Sequence, residues 1–273
     1  MLIEQPGAWG HHALTESRFP KDVASKLQGI AREVGFRIVL IRRGARLASA
    51  RRNVYFGRTH KDGSWLAHVD VERADEILEL DLGALARGSA PDGTRPVDHP
   101  LFLVCTHGRH DACCSVRGNQ VSRLACSAYP GMAWECSHIG GDRFAANVVC
   151  FPDGIYYGRV GPAELIDLLE SYRRGWLNLQ KYRGRSSYAF AVQAAEYFVR
   201  LEHGVLTLGG LELTGVEADA GGGETATRFR LPDGRTAGVT VRTSRSGERD
   251  RLTCRAQNES AIPLYEIVSS SVA

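Results

Sequence analysis

Apolar residues recur at Val23, Leu27, Ile30 and Val34, the three- and four-residue steps of one helix face. Gly35 closes the run, so the pattern predicts a helix over Lys21–Val34. Residues 1–5 read as a short strand running into a Pro-Gly turn. Residues 36–41 are apolar apart from Arg37 and read as a strand. Val54-Tyr-Phe and Trp65–Val71 are further strands, divided by the turn residues His60-Lys-Asp-Gly-Ser. A short helix over 74–80 precedes a loop over 88–100, rich in Pro, Gly and Asp.

The second stretch is more sharply patterned. Residues 100–104 form an apolar run, hence a buried strand, and a helix over 111–126 follows with Asp111 placed to cap it. A strand over 131–136 comes next. Strands over 147–151 and 155–160 flank Pro152-Asp-Gly, a hairpin signal, and Gly161 opens a helix to about Tyr172 with Pro162 near its start. A helix between two buried strands predicts a parallel pair, and the hairpin adds antiparallel strands. The order β-α-β-β-β-α is that of a thioredoxin-like α/β fold, and the β-rich first stretch is open to reading as a second, tandem half. A further helix is expected over 184–200, with Phe190, Ala194, Tyr197 and Phe198 on one side. Beyond it, short alternating runs predict a small antiparallel β unit with a glycine loop tip at 221–223. The expected division is 1–98 for an N-terminal α/β half, 99–200 for the thioredoxin-like region, and 201–273 for the β unit.

Composition narrows the class. The chain has 273 residues, 43% apolar and 24% charged, which suits a folded protein with a real core. A net charge of +3 is too small to imply a nucleic-acid partner. No apolar run approaches the length of a membrane span, and the first residues lack the basic and apolar regions of a signal peptide. The expected compartment is therefore the cytoplasm, where thiols stay reduced.

The seven cysteines change the picture. Six lie within a 46-residue window, at 105, 113, 114, 126, 136 and 150, together with His107, His110 and His138. An odd count and the vicinal Cys113-Cys114 pair suit a disulfide framework poorly, and clustered thiols in a reducing compartment point to metal or redox chemistry. Cys126, Cys150 and the distant Cys254 read as plain apolar thiols. In an open α/β sheet, ligands gather beyond the carboxyl ends of parallel strands. Cys105 ends one such strand, Cys136 and His138 lie at the end of the next, and Cys113 and Cys114 open the helix between them. Cys105, Cys114, Cys136, His138 and Asp142 can therefore meet. The nine-residue step from Cys105 to Cys114 is not the C-x-x-C of a thioredoxin dithiol, and the paired knuckles of a structural zinc site are missing. Two dispersed thiolates plus an imidazole suit a two-iron cluster. Gly140 and Gly141 let backbone N–H groups approach it, and Arg143 can offset its charge.

The runs Cys105-Thr-His-Gly-Arg-His-Asp-Ala-Cys-Cys and Trp134-Glu-Cys-Ser-His-Ile-Gly-Gly-Asp-Arg-Phe-Ala resemble the sucrase/ferredoxin-like family. So do Pro152-Asp-Gly, Tyr157-Gly-Arg, Ile3-Glu-Gln-Pro-Gly-Ala-Trp-Gly and Arg183-Gly-Arg-Ser. The resemblance covers about residues 1–200 and implies a thioredoxin-like ferredoxin with a [2Fe–2S] cluster. Fungal members show C-x8-C and H-x3-H, with two Cys on one iron and two His on the other. Cys105 and Cys114 match the thiolates and His138 the first His, while the second falls at Asp142, where this sequence departs. Asp142 could ligate through oxygen, or Cys136 or Cys113 could stand in.

The resulting expectation is a one-electron carrier rather than an enzyme. A thiol–disulfide enzyme using Cys113 and Cys114, or a zinc-stabilised interaction protein, are the rivals. Arg37, Arg42, Arg43, Arg46, Arg51, Arg52 and Arg58 form one basic run, and Arg173 to Arg185 a second. They suggest docking of an acidic redox partner protein. Nucleic acid is the weaker alternative.

Overall fold

The computed structural model describes residues 1–43, 51–219, 223–254 and 256–273. Arg46 and most of the expected glycine loop tip lie outside them. The first half runs β1 (Leu2–Glu4), α1 (Ala13–Glu16), α2 (Lys21–Val34), β2 (Val39–Arg42), β3 (Arg52–Arg58) and β4 (Trp65–Val71). In place of a closing helix come two 3-10 turns, at Ala74–Glu79 and Leu82–Leu85, and then the short β5 (Arg95–Pro96). β1 and β2 are parallel and β3 returns antiparallel beside β1. α2 ends where Gly35 takes a left-handed conformation (φ 84°) that a residue with a Cβ resists.

The second half repeats this plan. It runs β6 (Leu101–Cys105), α3 (Ala112–Ala128), β7 (Ala133–Cys136), β8 (Val148–Phe151), β9 (Ile155–Tyr157), α4 (Pro162–Arg173) and β10 (Tyr182–Arg185). β6 and β7 are parallel, β8 is antiparallel to β6, and β9 to β8. The expected start of a helix at Gly184 is corrected here. Residues 182–185 extend as β10 beside β9, because Gly184 (φ 113°) holds a backbone conformation no helix uses.

All ten strands form one sheet, ordered β10-β9-β8-β6-β7-β2-β1-β3-β4-β5. Each half has the strand order of a thioredoxin-like fold, and the halves join back to back through the antiparallel β2–β7 pair. A core of Leu2, Val39 and Ile41 with Leu101, Leu103 and Trp134 spans that junction.

Helix α5 (Phe190–His203) leads into a four-stranded antiparallel sheet, β11 (Glu212–Ala218), β12 (Glu224–Arg230), β13 (Thr236–Asp250) and β14 (Ser260–Val272). α5 buries Val192, Ala195 and Val199 against Phe229, Val239 and Val241 of that sheet. The side the sequence marks as apolar is only partly buried: Ala194, Tyr197 and Phe198 pack at the edges of the cores, while Phe190 is 72% exposed. α5 also carries Glu196, wholly buried between Arg185 (2.9 Å) and Arg200 (3.0 Å). Among the described residues, no helix is long and apolar enough to cross a membrane.

Candidate metal centre

β6 and β7 end side by side, with Cys105 opposite Cys136 in register. α3 starts above that rim. Asp111 caps it, its Oδ1 accepting the Cys113 N–H at 2.8 Å, and this sets Cys114 in the buried first turn. The chain after β7 turns through His138 to Asp142. There Gly140 and Gly141 have positive φ, and a side chain on Gly141 would collide with Arg183. The outcome is that ligand atoms of Cys105, Cys114 and His138 lie within 4.8 Å of one another, as do those of His110, His138 and Asp142.

Asp142 Oδ1 joins the two groups, 3.0 Å from His138 Nδ1 and 3.4 Å from Cys114 Sγ. His138 Nδ1 is buried and off hydrogen-bond angle, so it makes no hydrogen bond. The side chain of Asp142 is 3% exposed and that of His138 20%. Two sulfurs, a nitrogen and an oxygen thus converge at a rim closed inward and open only on the imidazole side. Thiolates with an imidazole and a carboxylate are a donor set that fits an iron–sulfur group.

The electrostatics are those of a shared negative charge. Hydrogen bonds from Cys114 and Cys136, with His138, draw Cys105 well below the ordinary thiol range despite burial. Cys114 is pushed up by Cys105, by burial and by Asp142. Cys136 is pushed up first by burial and then by Cys105. Burial opposes a charge on His138, but Asp142 and Cys105 outweigh it and lift the imidazole to about 9.

Several groups around the ligands hold the rim; of these the sequence points to His107 and His110 as neighbouring hydrogen-bond groups rather than ligands, and does not point to Asn147 or Arg183 in this role. His107 Nδ1 accepts the His138 N–H at 3.2 Å and its Nε2 lies 2.6 Å from Gly10 O, which fixes the proton on Nε2. Arg37 donates to His138 O (2.8 Å). Asn147 donates to Gly141 O (2.9 Å) and accepts from Arg183 (2.7 Å). His110 stacks on His138 with ring centres 3.8 Å apart. Arg143 lies over the Phe144 ring at 4.6 Å rather than against a carboxylate.

Two expectations are corrected. Cys113 points away from the rim and is disulfide-bonded to Cys254, so it is neither a fourth ligand nor half of a vicinal dithiol. Cys254 is accordingly not a bland remote thiol. Its N–H donates to Asp111 Oδ2 at 2.7 Å, which binds the C-terminal unit to the first turn of α3. Cys136 touches Cys105 but stands outside the mutual 4.8 Å group. Cys126 and Cys150 pack as the sequence suggests. The first basic run is largely occupied internally: Arg42 pairs with Glu135 (2.9 Å) and Arg43 covers Trp134 (4.1 Å). Arg52 bonds Gln5 Oε1 (2.8 Å).

The sequence profile of the family described as Sucrase/ferredoxin-like matches residues 2–184. Over 95 residues the chain is 32% identical to altered inheritance of mitochondria protein 32 of Meyerozyma guilliermondii, a match covering 31% of this chain and 34% of that protein. The match thus spans about a third of the curated relative's length. A thioredoxin-like [2Fe–2S] ferredoxin from Aquifex aeolicus aligns at 16% identity and a TM-score of 0.28, over 33% of this chain and 94% of that one. A Cys-to-Ser variant of that ferredoxin gives 17% and 0.26, over 31% and 96%.

Proposed function

Because the chain belongs to the sucrase/ferredoxin-like family, we propose that it is a one-electron carrier holding a [2Fe–2S] cluster on Cys105, Cys114, His138 and Asp142. The observation that carries this reading is the convergence of the first three donors within 4.8 Å at one sheet rim. When bound, such a cluster supplies a single-electron couple.

The chain's own residues do the rest. Cys105 and Cys114 are buried and hold from the protein side. His138 is the more exposed donor, the one an electron partner could reach. His107 fixes the backbone of His138, while Arg37 and Asn147 hold the following loop, so the donors need little rearrangement. An imidazole donor leaves the centre less negative than a thiolate would, which raises its potential. The carboxylate of Asp142 returns part of that charge and lowers it again. Exchange with a separate redox protein is the corresponding expectation for a partner.

The test is iron and acid-labile sulfide content of protein purified without oxygen, with electron paramagnetic resonance after reduction. About two irons and two sulfides per chain are expected. Cys105→Ala should lose both, and Asp142→His should keep iron but shift the signal and raise the potential. Colourless protein with no iron, or with zinc alone, would overturn the reading.

A further inference from the structure

Beside the candidate centre lies a cavity of about 770 Å³, within the roughly 300–1,000 Å³ of small-molecule sites. His138 and Asp142 form one end of it, and α5 and the segments around Leu252 and Pro263 form the far wall. The exposed Phe190 and the half-buried Tyr197 and Phe198 of α5 line it together with Phe144 and Tyr265. Flat aromatic walls of this kind suit a flat aromatic guest.

Its charge is one-sided. Arg143 and Arg183 line it, and among the described residues neither has a carboxylate partner. Both guanidiniums lie over the neutral Phe144 ring, Arg183 at 4.4 Å, and Arg183 is otherwise bonded to the uncharged Asn147. Burial lowers Arg183 to about 10, the signature of a cation short of counter-charge. The one carboxylate on the wall, Asp142, is already engaged by His138 and Cys114.

We infer that this cavity binds a planar aromatic redox carrier with an anionic tail, its ring between the aromatic walls beside His138 and its acidic group on Arg143 and Arg183. The inference rests on the electron-carrier reading for its purpose but not for its binding. A ring held there takes or gives one electron for each one the centre gives or takes, and no bond is made or broken.

Flavin mononucleotide is the probe, with riboflavin as the same ring without the charge. Titration into the full-length protein should quench flavin fluorescence with saturation, and riboflavin should bind at least about tenfold more weakly, about 1.4 kcal/mol. Arg143→Gln should erase most of that difference between the two flavins. Phe190→Ala, a change at an exposed side chain, should weaken both flavins alike. The titration is run on iron-loaded and on chelated protein. Flavin binding by protein that takes up no iron when loaded without oxygen sustains the cavity assignment while the cluster reading fails, and iron-loaded protein with no quenching does the reverse. Equal affinity for both flavins, or unchanged binding in both variants, would also overturn the inference.

Discussion

Gly118 offers a quantitative test of how the centre is built. It lies on α3 one turn after Cys114, where the helix meets the end of β6. A methyl group there would sit 2.1 Å from the carbonyl oxygen of Cys105 and 3.2 Å from its carbonyl carbon. The obstacle is backbone and cannot rotate aside, so helix and strand must part by on the order of 1 Å to restore a normal contact. Overpacking of this kind costs about 1–3 kcal/mol, and the upper end applies where nothing can yield. For a chain this long, about 3 kcal/mol lowers the melting temperature by roughly 6–12 °C. The shift also moves Cys114 away from Cys105, so iron retention should fall more than the melting temperature alone implies. The sign is decisive, since glycine to alanine within a helix by itself adds roughly 0.5–1 kcal/mol. Gly29→Ala supplies the control: it lies in α2 with nothing within 4 Å of the added carbon, and should stabilise by that amount. The assay is urea unfolding of both variants with iron counted per chain. A Gly118→Ala protein as stable as the parent, with full iron, refutes the packing of α3 on β6.

Three further changes probe the surroundings. Replacing Glu196 by Gln leaves the guanidiniums of Arg185 and Arg200 facing no carboxylate in a dry core, and should cost about 3–5 kcal/mol in urea unfolding; a loss under about 1 kcal/mol would contradict that burial. The Cys113–Cys254 link closes a loop of 141 residues, for which chain entropy gives up to about 5 kcal/mol. Cys254→Ser should therefore speed hydrogen exchange in β13 and β14, and rapid alkylation of both thiols in unreduced protein would sink the assignment. Asn147→Ala removes the donor to Gly141 O and the acceptor for Arg183, so about 1–3 kcal/mol should be lost. Iron should then dissociate faster on challenge with a chelator, and an unchanged rate would show that the loop is held otherwise.

Much of this was legible in the chain because its signals are local. The periodicity of Lys21–Val34 gives the helix to the residue, and Asp111 does cap α3. Placing Cys105, Cys136 and His138 at one rim needed only the rule for parallel strand ends. What escaped was long-range. Nothing near Cys254 announces a partner on α3, and residues 182–185 carry no alternation that marks a strand. The apolar stripe of α5 was visible, but a stripe that faces a cavity and one that faces a core read alike in sequence. His107 was readable as a hydrogen-bonding neighbour of the thiolates rather than a ligand, but its partner, the backbone of His138, was not.

The two halves explain why the centre stands on one of them. Ile41 and Cys136 are paired in register across the antiparallel β2–β7 junction, and taking them as equivalent positions aligns the two halves. Glu4 pairs with Ile41 as Cys105 pairs with Cys136, which makes Glu4 the counterpart of Cys105. Val23, third residue of α2, matches Cys114, third of α3, and Arg43 matches His138. A carboxylate, an isopropyl group and a guanidinium cannot grip iron as two thiolates and an imidazole can. Glu4 is spent on the backbone and side chain of Asn53, and Arg43 on Trp134. Yet the half without the thiolates is not idle. Its Leu2, Val39 and Ile41 complete the core that covers Cys105, Cys114 and Cys136. Without that cover the sulfurs would face water on the sheet's open side, where the bonds of the proposed centre would be open to hydrolysis and oxidation. The first half thus supplies the dry wall, and the second the chemistry.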